Sequence, residues 1–350
     1  MKKNRIFCVL LIAAALLAAG CGQNNAGEAE TIIVYNWGDY IDQSVLRDFE
    51  QEFGIRVIYE EFDTNESMYA KLKAGGTAYD VAFPSDYMIK RLIDEGGLEK
   101  INFKNIPNYS LIGDRFKNLP YDPQNEYSVP YFWGTVGILY NKTMVDEPVD
   151  SWGILWKEKY AKEIFMLDSQ RDAIGLTLKW LGYSLNSKSD AELAMAQAKL
   201  VEQMPLVQAY VGDEVKDKMI AGEGALAVVW SGDALNMMLE NEDLDFALPQ
   251  EGTNIWVDAM VIPSTSEHKE AAEKFINFMC RTEVAARNCE YINYSTPHTE
   301  VLSGLPEEIT ADNRFYPGED DLSNSEVFDD LAAMLPLYDR IWTEVKAEYQ

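Results

Sequence analysis

TIIVYNWGDYIDQSVLRDFEQEFGIRVIY, residues 31–59 of this 350-residue chain, contains the first strand, the first helix and the second strand of the predicted fold. The β-branched run at 31–35 predicts a strand, and Asp42 stands where it can cap a helix that Gly54 ends. That helix has one apolar face, formed by Val45, Leu46, Phe49 and Phe53. Another helix and strand follow before residue 86, and this β-α-β-α-β order predicts an α/β sheet with helices on both faces.

Two extended, aromatic stretches separate this unit from a second one: YSVPYFWGTVGILY at 127–140 and NIWVDAMVIP at 254–263. Between them strand and helix patterns alternate again, and well after the second stretch a last long helix is predicted at 325–346. Two α/β units joined by two crossover strands predict a two-lobed clamshell that holds a ligand in its cleft, near the carboxyl ends of the strands. The predicted lobes are residues 31–132 plus 258–303, and residues 133–257 plus 304–350.

The amino terminus has the pattern of an export signal over residues 1–20, with Lys2, Lys3 and Arg5 before an apolar run. The run ends in LAAGC, which looks like a bacterial lipobox with Cys21 as the lipidated residue; an ordinary secretory signal cut elsewhere is the alternative. Small polar residues at 21–30 predict a flexible tether. We therefore expect an extracytoplasmic protein held by a lipid at Cys21, in the periplasm or on the outer face of the plasma membrane.

The charge balance is strongly acidic, at −28, with 58 acidic and 30 basic residues. This disfavours nucleic acid as a partner and is compatible with a cationic ligand. The only histidines are His268 and His298, so a zinc site or a histidine-based triad is hard to build. We expect no metal, no cofactor and no catalysis. Cys280 and Cys289 are compatible with either a disulfide or two buried thiols.

Aromatic and acidic side chains recur where predicted strands end. They are Trp37, Asp39 and Tyr40 after the first strand, Ser85 and Tyr87 after the third, Asp172, Trp230 and Asp233 in the second unit, Trp256 and Asp258 in the second crossing, and Tyr294. Taken singly, the rings could cap the core, and Asp172 and Asp233 could be helix N-caps. Together they suit a polyamine, because its methylenes need flat apolar walls and its ammonium groups need ring faces and carboxylates.

Six stretches carry a resemblance to a known family. They are YNWGDYI at 35–41, YDVAFPSDY at 79–87, LDSQRD at 167–172, VVWSGDA at 228–234, IWVDAMVIP at 255–263 and INYSTP at 292–297. At these residues the chain resembles the spermidine/putrescine-binding lipoproteins of bacterial ABC importers. The resemblance covers nearly all of the chain after the signal. It implies a type II periplasmic-binding fold that closes on its ligand, and the membrane permease of an ABC importer as partner.

The resemblance also implies roles for the matching residues. Trp37, Tyr40, Trp230, Trp256 and Tyr294 would form an aromatic box. Ser85 and Tyr87 would bind an end amine, Asp258 the inner amine and Asp172 an end amine, while Asp233 resembles an acid of putrescine-preferring members.

The chain departs from the family pattern at two places. Ser169 stands where spermidine binders tend to carry an acid, with Asp168 one residue earlier, and no glutamine matches around Phe328. The choice between spermidine and putrescine therefore stays open. We expect a monomer. The alternatives are another ligand for the same fold, namely a sugar, a thiamine-like cation or ferric iron, and an extracellular carbohydrate-active enzyme that uses paired carboxylates.

Overall fold

The computed structural model describes residues 29–331 and 333–349. The predicted export signal, Cys21 and most of the predicted tether lie outside the described residues. Within the described part of the chain, no helix is long and apolar enough to cross a bilayer.

One curled, mixed sheet organises the described chain. Its strands are β1 (Thr31–Trp37), β2 (Arg56–Phe62), β3 (Val81–Ala82), β4 (Ser128–Asn141), β5 (Ile164–Leu167), β6 (Val207–Val211), β7 (Leu226–Trp230), β8 (Leu244–Ala247) and β9 (Ile255–Val261). The strands lie in the order β2-β1-β3-β9-β4-β7-β5-β6, and β8 pairs with β4 outside this path.

The long strand β4 belongs to both parts of the sheet. Residues 128–135 pair antiparallel with β9, whereas residues 136–141 pair antiparallel with β7 and β8. We call β1, β2, β3, β9 and residues 128–135 the first half-sheet, and β5 to β8 with residues 136–141 the second half-sheet. Nearly every residue of β4 is buried, which explains its continuous apolar and aromatic sequence.

Helices cover the sheet and follow its strands along the chain. They are α1 (Gln43–Phe53), α2 (Asn65–Ala74), α3 (Asp86–Asp94), α4 (Gln170–Trp180), α5 (Asp190–Gln203), α6 (Val215–Ile220), α7 (Ser231–Glu240), α8 (Lys269–Met279), α9 (Thr282–Ile292), α10 (Thr299–Gly304), α11 (Glu307–Thr310) and α12 (Leu335–Tyr349).

The sequence signals of α1 are confirmed in detail. The Asp42 side chain accepts a hydrogen bond of 2.8 Å from the Ser44 amide and caps the helix. Gly54 ends it with a φ of 66°, a left-handed conformation that glycine adopts without strain. On the apolar face, the fully buried Phe49 packs edge-on against Phe275 at 5.2 Å.

Local structure differs from what the sequence suggested at four places. The strand predicted at 79–83 is only Val81–Ala82, and β8 was not predicted. Neither Asp172 nor Asp233 is an N-cap, because Ser169 and Trp230 hold those positions and the aspartates lie in the first turns of α4 and α7.

The last helix begins at Leu335 rather than near 325, which is the fourth difference. The preceding backbone is bound to other segments instead. The Glu326 amide donates to the Thr253 carbonyl at 2.9 Å, and the Glu326 carbonyl accepts from the Ile255 amide at 2.9 Å. These tertiary hydrogen bonds take the groups that a helix would need. Cys280 and Cys289 are buried free thiols, so the alternative without a disulfide is the correct one.

Candidate functional site

The candidate site lies where the two half-sheets meet. Trp37 ends β1 and donates its indole N–H to the Phe83 carbonyl at 2.8 Å, so the ring is fixed beside the end of β3. Its ring also contacts Phe62, at the end of β2, at 4.5 Å. Trp230 ends β7 and pairs with Val136, the first residue of β4 in the second half-sheet.

Three aromatic rings form the centre of the site. The Tyr294 ring lies edge-on to Tyr40 at 5.5 Å and to Trp256 at 5.2 Å. All three side chains are buried, and the Trp256 indole N–H has no hydrogen-bond partner among the described residues. The centre therefore presents aromatic surface together with a donor that is left unpaired.

Asp258 lies beside this aromatic centre with only 6% of its surface exposed. Tyr40 donates its hydroxyl to Asp258 Oδ2 at 2.9 Å, whereas Oδ1 has no hydrogen-bond partner in the described chain. Burial raises the pKa of Asp258 to about 7, although the hydroxyls of Ser85 and Tyr40 oppose the rise. An unpaired oxygen on a buried carboxylate is costly, so this atom can accept a hydrogen bond from an incoming donor.

Ser85 and Tyr87 are held by side chains of α2 that the sequence analysis missed. Asn65 donates its amide to Ser85 Oγ at 3.0 Å and accepts from the Ser85 backbone amide at 3.1 Å. The Tyr87 hydroxyl donates to Glu66 Oε1 at 3.0 Å. Asn65 and Glu66 come directly after β2, so the strand-end rule that found the other candidates would have found them as well.

Asp86 is a second acid that the sequence analysis missed. It is 1% exposed and accepts hydrogen bonds from the backbone amides of Val257, at 3.0 Å, and Tyr87, at 2.7 Å. Burial raises its pKa to about 8. Because these bonds tie the start of α3 to β9, Asp86 holds Ser85 and Asp258 at a fixed separation.

Asp172 is another buried acid, and it lies in α4, which follows β5 of the second half-sheet. The Ser169 hydroxyl donates to Asp172 Oδ2 at 2.7 Å, whereas Oδ1 has no partner among the described residues. Burial raises the pKa of Asp172 to about 6, against the hydrogen bond from Ser169 and the charge of Arg171. A narrow cavity beside it is lined by Asn254 and Phe328, and Asn254 Oδ1 is likewise unpaired.

Arg171 lies against the ring of Tyr87. Its guanidinium lies 4.9 Å from the centre of the Tyr87 ring and 4.2 Å from that of Phe328. The side chain is 2% exposed and also donates to the Asp329 carbonyl at 3.2 Å. The Tyr87 ring thus stacks on a cation of the chain itself, and this contact joins the two half-sheets.

Asp233 lies at a different end of the site, with a lysine beside it. Lys216 Nζ is 3.6 Å from Asp233 Oδ1 and 3.1 Å from Asp39 Oδ2. Burial raises the pKa of Asp233 to about 6, and the Lys216 charge opposes the rise. Partial burial alone would raise the pKa of Asp39. The charge and hydrogen bond of Lys216 and the hydrogen bond from the Tyr291 hydroxyl outweigh this effect, so the pKa of Asp39 is lowered.

The structure thus brings together several of the residues predicted from sequence. Tyr40, Ser85, Asp258, Trp256 and Tyr294 are connected through direct contacts, and Gly232, the residue before Asp233, packs against the Tyr294 ring. Asp39 lies on the rim, with 54% of its side chain exposed. Among the described residues, no group of three or more histidines, cysteines or acids is arranged to hold a metal ion.

Comparisons with known proteins agree with this geometry. Residues 44–316 match the family model of the bacterial extracellular solute-binding proteins. This chain belongs to that family. The family prediction made from the sequence motifs is confirmed.

Three relatives of this solute-binding protein cover nearly its whole length. The spermidine/putrescine-binding periplasmic protein of Escherichia coli is 35% identical over 96% of this chain and 97% of its own. The structure of the Streptococcus pneumoniae spermidine/putrescine ABC transporter substrate-binding protein is 43% identical, with a TM-score of 0.78, and covers 92% of this chain and 100% of that one. The structure of a Treponema pallidum lipoprotein is 29% identical, with a TM-score of 0.81, and covers 90% of this chain and 99% of that one. The predicted fold class is thereby confirmed.

Two glycines make room for the aromatic centre of this solute-binding protein. A Cβ on Gly232 would lie 1.1 Å from Tyr294 Cδ1, and one on Gly134 would lie 2.6 Å from Trp256 Cζ2. Both separations are far shorter than a van der Waals contact, so any larger residue would displace a ring.

We predict that Gly232→Ala destabilises the protein by about 1–3 kcal/mol, the usual effect of overpacking, although alanine favours helices. Thermal and urea unfolding measure the change. Gly304→Ala in α10 is the matched control, because no atom of the described residues lies within 4 Å of its added Cβ. Equal unfolding midpoints for the two variants would show that the Tyr294 ring moves aside without cost.

Proposed function

We propose that this protein is an extracytoplasmic solute-binding protein that captures a polyamine, spermidine or putrescine or both, for the membrane permease of an ABC importer. One observation carries the proposal: Asp258 and Asp172 are buried carboxylates that each keep one oxygen without a hydrogen-bond partner in the described chain. The names of the full-length relatives, which refer to spermidine and putrescine, support the same ligand class.

The chemistry of a polyamine fits this arrangement. Its ammonium groups supply the donors that Asp258 and Asp172 lack, and a paired buried charge avoids the cost of an isolated one. Its methylenes need apolar walls, which Tyr40, Trp256 and Tyr294 provide, and ring faces attract each ammonium by about 0.5–2 kcal/mol.

The rival functions fit less well. Ferric iron needs clustered ligands, and the buried His298 has both ring nitrogens occupied, by the Val301 amide and the Cys280 carbonyl. A sugar would satisfy the carboxylates but would not supply their counter-charge. A carbohydrate-active enzyme would need two carboxyls on one scissile bond, and membership of a solute-binding family favours transport.

Calorimetric titration with spermidine, putrescine, spermine, a maltodextrin and ferric citrate tests the function. We expect saturable binding of at least one polyamine and no binding of the maltodextrin or of ferric citrate. Saturable binding of the maltodextrin or ferric citrate, without polyamine binding, would refute the proposal.

The proposal includes the cellular setting predicted from sequence. A lipid at Cys21 would hold a monomer at the membrane, outside the cytoplasm. The lipobox supports the anchor, as does the Treponema relative, which is described as a lipoprotein. Mass spectrometry of the membrane fraction, compared between the unmodified protein and Cys21→Ser, tests the anchor directly.

We predict that Asp258→Asn weakens polyamine binding by about 2–4 kcal/mol, because a buried ammonium would lose its counter-charge. Calorimetry at one pH and salt concentration measures the effect. Asp243→Asn is the control: it removes the same charge from an exposed residue before β8. If both variants bind like the unmodified protein, Asp258 is not part of the site.

We predict that polyamine binding strengthens as the pH rises from 5.5 to 7.5. The pKa values of about 7 for Asp258 and about 6 for Asp172 mean that both carboxyls gain protons as the pH falls through this range. A bound ammonium favours the carboxylates, so binding releases protons and affinity rises by about 10- to 100-fold over this interval. Alkylammonium groups stay charged throughout. Calorimetry in buffers of different ionisation enthalpy counts the released protons, and Asp258→Asn should remove most of the dependence; a flat profile contradicts the assignment.

We further propose that residues 31–132 plus 258–303 and residues 133–257 plus 304–350 move as two lobes. Asp258 lies on the first and Asp172 on the second, so a ligand that binds both favours the closed state. We predict that saturating spermidine lowers the radius of gyration in small-angle X-ray scattering. The Asp258→Asn variant at the same spermidine concentration is the control. Superimposable curves for the unmodified protein would rule out closure.

A further inference from the structure

Lys216 places a cation of the chain itself within the candidate site. It lies on α6, and only 20% of its side chain is exposed. Its Nζ atom is 3.1 Å from Asp39 Oδ2, 3.6 Å from Asp233 Oδ1 and 3.8 Å from Asp213 Oδ1. A single ammonium therefore serves three carboxylates, which come from both half-sheets.

These three acids differ in how much they depend on a counter-charge inside the protein. The side chains of Asp39 and Asp213 are 54% and 60% exposed, so water solvates their charge. The side chain of Asp233 is only 8% exposed, and it needs a counter-charge inside the protein. Lys216 provides it, and the three carboxylates raise the pKa of Lys216 against the effect of burial, so the ammonium stays charged.

Asp233 is also close to the aromatic centre. Gly232, the residue before Asp233, packs against the Tyr294 ring, and this ring contacts Tyr40, which binds Asp258. A ligand ammonium that reached Asp233 from the centre would meet Lys216. Two ammonium groups beside the same carboxylate repel each other, and one carboxylate cannot fully compensate both.

We infer that Lys216 determines ligand length: its ammonium occupies the Asp233 end of the site, so that Asp258 and Asp172 alone bind the ammonium groups of the ligand. The inference rests on the proposed polyamine-binding function and deepens it. A polyamine with an additional ammonium that extends toward Asp233 is disfavoured. Removal of the lysine charge opens that end to it.

The experiment measures dissociation constants for putrescine, spermidine and spermine by calorimetry. Asp258→Asn should weaken spermidine binding by about 30-fold or more, and Asp233→Asn should weaken it clearly less, because it removes no partner of the ligand but leaves Lys216 without its buried counter-charge. Lys216→Met should strengthen spermine binding relative to putrescine by about 10-fold or more, because Asp233 then lacks a cation.

Two controls separate this effect from a general loss of structure. Lys216→Arg keeps the charge and should keep the ligand preference of the unmodified protein. Addition of Asp233→Asn to Lys216→Met should abolish the gain for spermine. Melting temperatures verify that each variant folds. If Lys216→Met does not fold, Lys216→Gln takes its place.

The failures are distinguishable. If Asp233→Asn weakens spermidine as much as Asp258→Asn does, Asp233 binds the ligand and the inference is overturned. An unchanged spermine-to-putrescine ratio in both the Lys216→Met and Lys216→Gln variants overturns it as well. Absence of polyamine binding by the unmodified protein refutes the proposed function, and the inference falls with it.

Discussion

The antiparallel ladder between β4 and β9 is the constraint on which the site depends. It runs from the pair Ser128–Val261 to the pair Thr135–Ile255, and directly beyond it β4 leaves β9 and joins β7. Asp258 lies within this ladder, so its backbone cannot shift without loss of several hydrogen bonds. The isolated bridge between Ser85 and Asp258 and the Asp86 hydrogen bonds then fix the start of α3 against the same strand.

Around this rigid strand, the site buries carboxyl groups, which proteins ordinarily keep exposed to water. Asp258, Asp172, Asp86 and Asp233 are all buried, and burial raises the pKa of each. Asp86 is satisfied by backbone amides and Asp233 by Lys216, whereas Asp258 and Asp172 each retain an oxygen that no described residue pairs. Such local costs are typical of functional sites. The difference between satisfied and unsatisfied acids separates structural carboxylates from those proposed to bind ligand.

The sequence predicted those features that depend on local order. Strand ends located Trp37 and Trp230, and capping signals located α1, because both follow from neighbouring residues. The contacts of Lys216 and Arg171 could not be predicted in this way. Lys216 meets Asp39, 177 positions away, and Arg171 meets Tyr87 across the two half-sheets, so only the tertiary fold brings them together. The last helix was placed too early because hydrogen bonds to Thr253 and Ile255 outweigh the local helical pattern around Glu326.

The position of Lys216 also bears on how quickly a ligand can leave. Asp39 follows β1 of the first half-sheet, whereas Lys216 and Asp233 lie on α6 and α7, beside the second, so the proposed separation of the lobes would break the contact between Lys216 and Asp39. Because Asp39 is largely exposed, dissolved ions screen this pair far more than a buried one. Under the proposed motion, the opening rate of the protein, and with it the release of ligand, would increase with the ionic strength of the surrounding medium.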